Sequence, residues 1–184
     1  MDNKIIIIGG GASALMLASL LPKNTATIIE SNPKPGAKIL VSGGGKCNIT
    51  NTRMGTEYFL GDESFVQHPL KKFNEKALIR WLERQRLEPV IRKETQYFCK
   101  DSAKELVNIL IKESKKQQIC LNETVLEVIK SDGLFSAKTN KRTITGKAVV
   151  VASGGLSFPK LGASSVGYDI AKFFGHSIQK TAPA

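Results

Sequence analysis

The sequence predicts an α/β fold: a parallel sheet crossed by helices and carrying a small antiparallel meander. Three observations support this. A β-branched run at residues 4–8 passes through a glycine cluster into an apolar helical segment. A second apolar run, Ala26 to Ile29, ends in Glu30. A third, Lys147 to Ala152, returns late in the chain and again leads into glycines. Short, fully apolar runs of this kind mark parallel strands buried on both faces.

Lys4-Ile5-Ile6-Ile7-Ile8 is the first such strand. Gly9-Gly10-Gly11-Ala12-Ser13-Ala14 follows at once and opens a helix through about Leu21. The pattern is G-x-G-x-x-A. Gly9 permits the tight turn, Gly11 lets a pyrophosphate approach the backbone, and Ala14 is small enough for helix and sheet to pack closely. The free N–H groups of the first turn, those of Ala12 and Ser13 among them, then face the phosphates with the positive end of the helix dipole. Glu30 closes the next strand 21 positions after Gly9, where a carboxylate can bond a ribose diol and would repel a 2′-phosphate. NADP is therefore disfavoured at this site, while NAD and FAD both stay open. The 17 uncharged residues from Ile5 to Leu21 do not form a signal or spanning helix, because three glycines interrupt them.

Lys34 to Asn51 reads as a second glycine-rich loop, KPGAKILVSGGGKCNITN. Gly43 and Gly44 would let backbone lie against a flat or anionic ligand, Lys38 and Lys46 add positive charge, and Asn48 and Asn51 can donate to carbonyls or hydroxyls. Cys47, beside Lys46, could have a lowered pKa. No second cysteine lies near it in sequence, so a redox pair is not indicated.

Glu75 to Leu87 reads as a surface helix with one buried stripe. Ser102 and Glu105 have capping-box spacing at the head of a helix that ends in a basic tail, Lys112 to Gln118. Gln118 to Leu121 is a third parallel strand. Thr124 to Lys130, Leu134 to Thr139 and Arg142 to Thr145 alternate as the meander. Val166 to Phe174 is a last helix, ended by Gly175, with His176 in a helix-terminal role.

Composition narrows the class. Hydrophobic residues make up 41% of the 184, and charged residues 23%, which excludes disorder. Three cysteines at irregular spacing and two histidines assemble no metal-ligand pattern and suit a cytoplasmic protein with free thiols. A net charge of +11 leaves a nucleic-acid partner as an alternative, supported by the basic, aromatic-flanked stretch Lys71 to Lys93. No nucleic-acid motif accompanies it, so nucleic acid is not the favoured partner.

Three segments together resemble the bacterial NAD(P)/FAD-dependent oxidoreductase flavoproteins of the aminoacetone oxidase-like or BaiN-type group. They are Ile7 to Ala14 with Glu30, Lys38 to Asn51, and Ala152-Ser153-Gly154-Gly155-Leu156-Ser157-Phe158-Pro159 with Gly162, Gly167 and Tyr168. Lys46 stands where the family usually has Arg, and Ser153 where it has Thr. The family's Gly-Arg-x-Phe-Pro pattern is absent near Tyr97-Phe98-Cys99.

The resemblance implies a Rossmann-like FAD domain of glutathione-reductase type, with FAD carrying hydride or electron transfer and NAD(P)H as a donor in the full-length protein. It places Gly9 to Ala14 at the pyrophosphate, Glu30 on the adenosine ribose, Gly43 to Asn48 near flavin or pyrophosphate, backbone near Val125 at the adenine, and Ala152 to Gly154 at the cofactor. It also implies that residues 1–184 are the N-terminal portion of that domain, without the substrate domain and return strand, inactive alone. The small-molecule substrate is not specified, no membrane partner is expected, and a NAD-binding module without flavin is the remaining alternative.

Overall fold

The computed structural model describes residues 4–180. In chain order the elements begin with β1 (Ile5–Ile8), α1 (Ala12–Leu20), β2 (Ala26–Ile29) and α2 (Ala37–Val41). Next come β3 (Asn48–Asn51), α3 (Glu63–Lys72), α4 (Glu75–Arg84), β4 (Val90–Arg92) and β5 (Gln96–Phe98). Then follow α5 (Lys104–Ser114), β6 (Gln118–Cys120), β7 (Val125–Ser131), β8 (Leu134–Thr139), β9 (Thr143–Gly146), β10 (Ala148–Val151) and α6 (Val166–Phe173). They form two compact units, one from the chain up to Lys38 and from Leu110 onward, the other Ile39–Ile109.

The first unit holds a parallel sheet of order β10-β1-β2-β6 and the antiparallel meander β7-β8-β9. Alternation along the strands fixes its two faces. Ile7 and Ile28, register partners, pack with Ala14, Ala18 and Ala26, so α1 covers one face through alanines that permit close approach. Ile6, Ile8 and Ile29 point the other way, into a cluster with Val125, Val128, Ala137 and Ile170 from the meander and α6. Each fully buried aliphatic side chain here contributes about 1.5–3 kcal/mol. Gly175, at φ +84, ends α6 in a Schellman turn: its N–H bonds Lys172 O and that of His176 bonds Ala171 O. His176 thus has the helix-terminal place expected of it.

The second unit holds the antiparallel sheet β3-β5-β4 with α3 and α4. Asp62 caps α3 by accepting from Ser64 N, and Asn74 caps α4 by accepting from Ala77 N. Within α4 it is Trp81 and Leu82 that are buried. The capping box is present at α5, where Glu105 accepts from Ser102 N at 2.7 Å and Ser102 Oγ accepts from Lys104 N.

The stretch read as a glycine-rich loop is flanked by regular structure on either side of its glycines. Ala37 to Val41 carries no helix breaker and forms α2, Ser42–Gly45 is a turn with Gly43 and Gly44 left-handed at φ 56 and 66, and Asn48–Asn51 pairs with β5. Strands of three or four residues get their stability from such partners, and a one-dimensional pattern does not show the partner. No described helix is long and apolar enough to cross a membrane.

Candidate functional site

In the first unit, the backbone ladder extends past the strand ends into the residues expected to bind a ligand. Gly9 N donates to Ile29 O, Ala152 N to Ile8 O and Glu30 N to Cys120 O, each at 2.8 Å. The C-terminal edge of the sheet, where open α/β sheets bind ligands, therefore holds Gly9, Glu30 and Ala152 in one rigid row. Gly9 sits at φ +104, and a Cβ there would lie 2.5 Å from Ala152 O. Backbone conformation and the neighbouring strand both demand glycine.

A Cβ at Gly11 would meet nothing within 4 Å. Gly11 is also the N-cap of α1, with no side-chain cap bond and no acidic residue in the first turn. Ala12 and Ser13 beside it are exposed, while Ala14 is fully buried against the sheet. The turn thus presents amide donors and the positive end of a nine-residue helix to open space, which suits a diphosphate.

Glu30 has a second duty that the sequence did not show. Its buried carboxylate accepts from Gly10 N at 2.5 Å through Oε2, and from Asn32 N and Asn32 Nδ2 at 2.7 and 2.8 Å through Oε1. It therefore clamps the glycine turn to the end of β2. Among the described residues Oε2 has one partner, so a lone pair remains for a ribose hydroxyl.

Asn32 Nδ2 also reaches Leu161 O at 3.2 Å, tying the 156–162 loop to the same corner. Lys38, expected to offer its charge to a ligand, donates to Ser157 Oγ and lies 5.6 Å over the Phe158 ring. Phe158 is left-handed at φ 63 and largely exposed. Ser153 Oγ is buried without a partner among the described residues, and Gly154 beside it faces open space. The side chain of Val125 is committed to the core, while its backbone pairs with Thr139 just before a bulge in β7.

Neither Asn32 nor the pair of buried Glu123 and exposed Arg142 stood out in the sequence. Arg142 Nε and Nη2 grip Glu123 at 2.9 and 2.6 Å, and Thr139 Oγ1 bonds the same carboxylate. The Arg142 hydrogen bonds hold the Glu123 carboxyl below its ordinary range. The 19 positions between Glu123 and Arg142 belong to no local spacing rule, so only the fold of the meander reveals the pair.

In the second unit, the turn bearing Gly43, Gly44, Lys46, Cys47 and Asn48 is shaped by its own backbone. Gly43 is left-handed at φ +56, and a Cβ there would press on Asn48 N and the Phe98 ring at 2.7 and 2.8 Å. Lys46 N donates to Gly43 O, and Cys99 N donates to Lys46 O. The expectation of an activated Cys47 is corrected: burial pushes its thiol up, and the Ser42 hydrogen bond only partly offsets this. Cys99, remote in sequence, is a neighbour through the Lys46 bond, and its thiol is pushed up to about 11, mainly by burial. Both are buried thiols, and neither is activated as a thiolate.

The HI0933-like protein Rossmann domain model matches residues 3–182. The chain belongs to this family. This HI0933-like chain is 35% identical over 181 residues to the ribosomal RNA dihydrouridine synthase of Escherichia coli, covering 96% of the chain and 45% of that protein. The protein of the same name from Haemophilus influenzae is 35% identical over 179 residues, covering 92% and 45%. The 3-dehydro-bile acid delta(4,6)-reductase of Clostridium scindens is 29% identical over 189 residues, covering 99% and 46%. The chain thus spans a little under half the length of these relatives.

Among solved structures, a flavocytochrome c3 fumarate reductase superposes with a TM-score of 0.64 at 19% identity, covering 96% of this chain and 41% of that one. Glycine oxidase from Bacillus cereus gives 0.51 at 15% identity, covering 94% and 58%. These likenesses establish the α/β Rossmann-like fold of the HI0933-like chain.

Proposed function

We propose that the chain is the FAD-binding portion of a reductase that adds hydride to a carbon–carbon double bond conjugated to a carbonyl. The observation that carries the proposal is the uncapped glycine turn, open at Gly11 and free of acidic residues in its first turn. It occurs in a chain whose relatives bear two different names with one chemistry. A dihydrouridine synthase and a delta(4,6)-reductase each saturate a ring double bond activated by a carbonyl. FAD, when bound, supplies the hydride transfer.

The chain's own residues bind and orient. The first-turn amides at Gly11, Ala12 and Ser13 would hold the diphosphate. Glu30, kept in place by Gly10 and Asn32, would take a ribose hydroxyl on Oε2. Ser153 Oγ, without a partner among the described residues, would donate to the cofactor. NAD(P)H as electron donor is part of the proposal for the whole protein.

Ribosomal RNA is the substrate class favoured by two relatives at 35% identity and by the +11 charge, which a diphosphate uses only in small part. Thermal-shift titration with FAD, NAD and NADP tests the cofactor: FAD should raise the midpoint, and no rise with FAD overturns the reading. Nucleoside mass spectrometry of ribosomal RNA after deletion of the gene tests the substrate. Loss of dihydrouridine supports RNA, and an unchanged level overturns it.

A further inference from the structure

The positive charge is not spread evenly. The first unit carries 15 Lys and Arg against seven Asp and Glu, and the second 12 against nine, so nets of +8 and +3 make up the +11. Within the first unit, topology gathers lysines at the strand-start edge of the parallel sheet. Lys147 immediately precedes β10, Lys4 precedes β1, Lys23 comes just ahead of β2, and Lys115 and Lys116 come just ahead of β6. Backbone bonds tie these starts into a row: Lys147 N to Lys4 O, Ile5 N to Thr25 O, and Asn24 N to Lys116 O, at 2.8 to 3.0 Å. Four strands at their usual spacing make this row about 15 Å long. Lys130 joins it, 5.1 Å over Phe135, whose register partner Gly146 abuts Lys4 O. The acids nearest in the chain are Asp2, two positions before Lys4, Glu113, in the last turn of α5, and Asp132, at the β7–β8 tip.

We infer that this edge, opposite the glycine turn, is a contact surface for the phosphate backbone of RNA. The inference rests on the reading of RNA as substrate. A row of flexible ammonium groups, with Phe135 packed on the core beneath Lys130, would position a strand by charge and read no sequence. Cofactor and polyanion would then occupy opposite edges of one sheet, and the flavin end would stay clear of the phosphates. Lys4 and Lys116 are partly engaged within the unit, with Gln118 Oε1 and Ser19 O. Lys23, Lys115 and Lys147 are exposed and free to bind.

The test uses the 184-residue chain, a fluorescein-labelled single-stranded RNA and fluorescence anisotropy at several salt concentrations. The triple variant Lys23→Gln, Lys115→Gln, Lys147→Gln should bind RNA at least tenfold more weakly at low salt. Its slope of log affinity against log salt should fall by about 2, the loss expected for three contacts to a single strand. A control triple in the second unit, Lys71→Gln, Lys76→Gln, Lys93→Gln, should stay within twofold of the parent. Equal losses in both triples, no RNA binding by the parent, or binding to phosphatidylglycerol vesicles without binding to RNA would each overturn the surface. FAD titration of the first triple is unaffected on this proposal, so failure of the RNA surface is told apart from failure of the cofactor reading.

Discussion

Replacing Glu30 separates two roles that one carboxylate fills here. The buried group accepts one backbone N–H from Gly10 and one backbone and one side-chain N–H from Asn32. Glu30→Ala removes both acceptor oxygens and leaves the Gly10 and Asn32 N–H groups they served without partners near the protein interior. Hydrogen bonds to a charged acceptor, and buried donors left unmade, each cost about 1–3 kcal/mol, partly relieved by water entering the gap. A loss of about 2–4 kcal/mol in unfolding free energy is expected, or roughly 5–15 °C in Tm for a chain of this size. Glu30→Gln keeps one acceptor but turns an NH2 toward a donor, and should lose about half as much. Urea unfolding at pH 7 with an unchanged m-value measures this, and FAD titration of the same variants measures the ligand role. If Glu30→Ala unfolds within about 0.5 kcal/mol of the parent while FAD affinity collapses, the clamp is refuted and the carboxylate serves the ligand alone.

The glycine turn gives a second contrast: Gly9→Ala meets Ala152 O at φ +104 and should cost about 3 kcal/mol or more in urea unfolding. Gly11→Asp enters open space, so it should leave the unfolding midpoint nearly unchanged while weakening FAD at least tenfold in a flavin-fluorescence titration. Arg142→Ala strands the buried Glu123 carboxylate and should cost about 1–3 kcal/mol by urea unfolding. Because the folded Glu123 pKa is lowered, its stabilisation is present above the unfolded carboxylate pKa and is lost as pH falls through the folded one. Stability of Glu123→Gln should therefore fall less than the parent's between pH 7 and pH 3. Cys47, Cys99 and Cys120 should react slowly with a thiol reagent at pH 7.5 in the native chain and rapidly in urea, since burial raises all three.

Much of the fold is legible locally. The run Ile5 to Ile8, the glycine turn, the alanines of α1 and the strand ending in Glu30 are contiguous signals, and their spacing is set by the geometry they build. The meander was readable because its strands alternate and adjoin in sequence. The sheet β3-β5-β4 was not, because Asn48–Asn51 and Gln96–Phe98 lie far apart and neither shows a period of its own. The same distance hid Cys99 from Cys47 and Arg142 from Glu123.

The sequence by itself determined a parallel α/β unit that opens on a glycine turn, since the positive φ at Gly9 and a small residue at Ala14 are demands of the turn and of helix-on-sheet packing. Tertiary structure alone decided that Glu30 clamps the turn, that Cys47 is buried with its thiol pushed up, and that lysines scattered from Lys4 to Lys147 share one edge. Hydrogen-bond occupancy, burial and charge density are set by whatever the fold brings alongside a residue, and those neighbours come from distant parts of the chain.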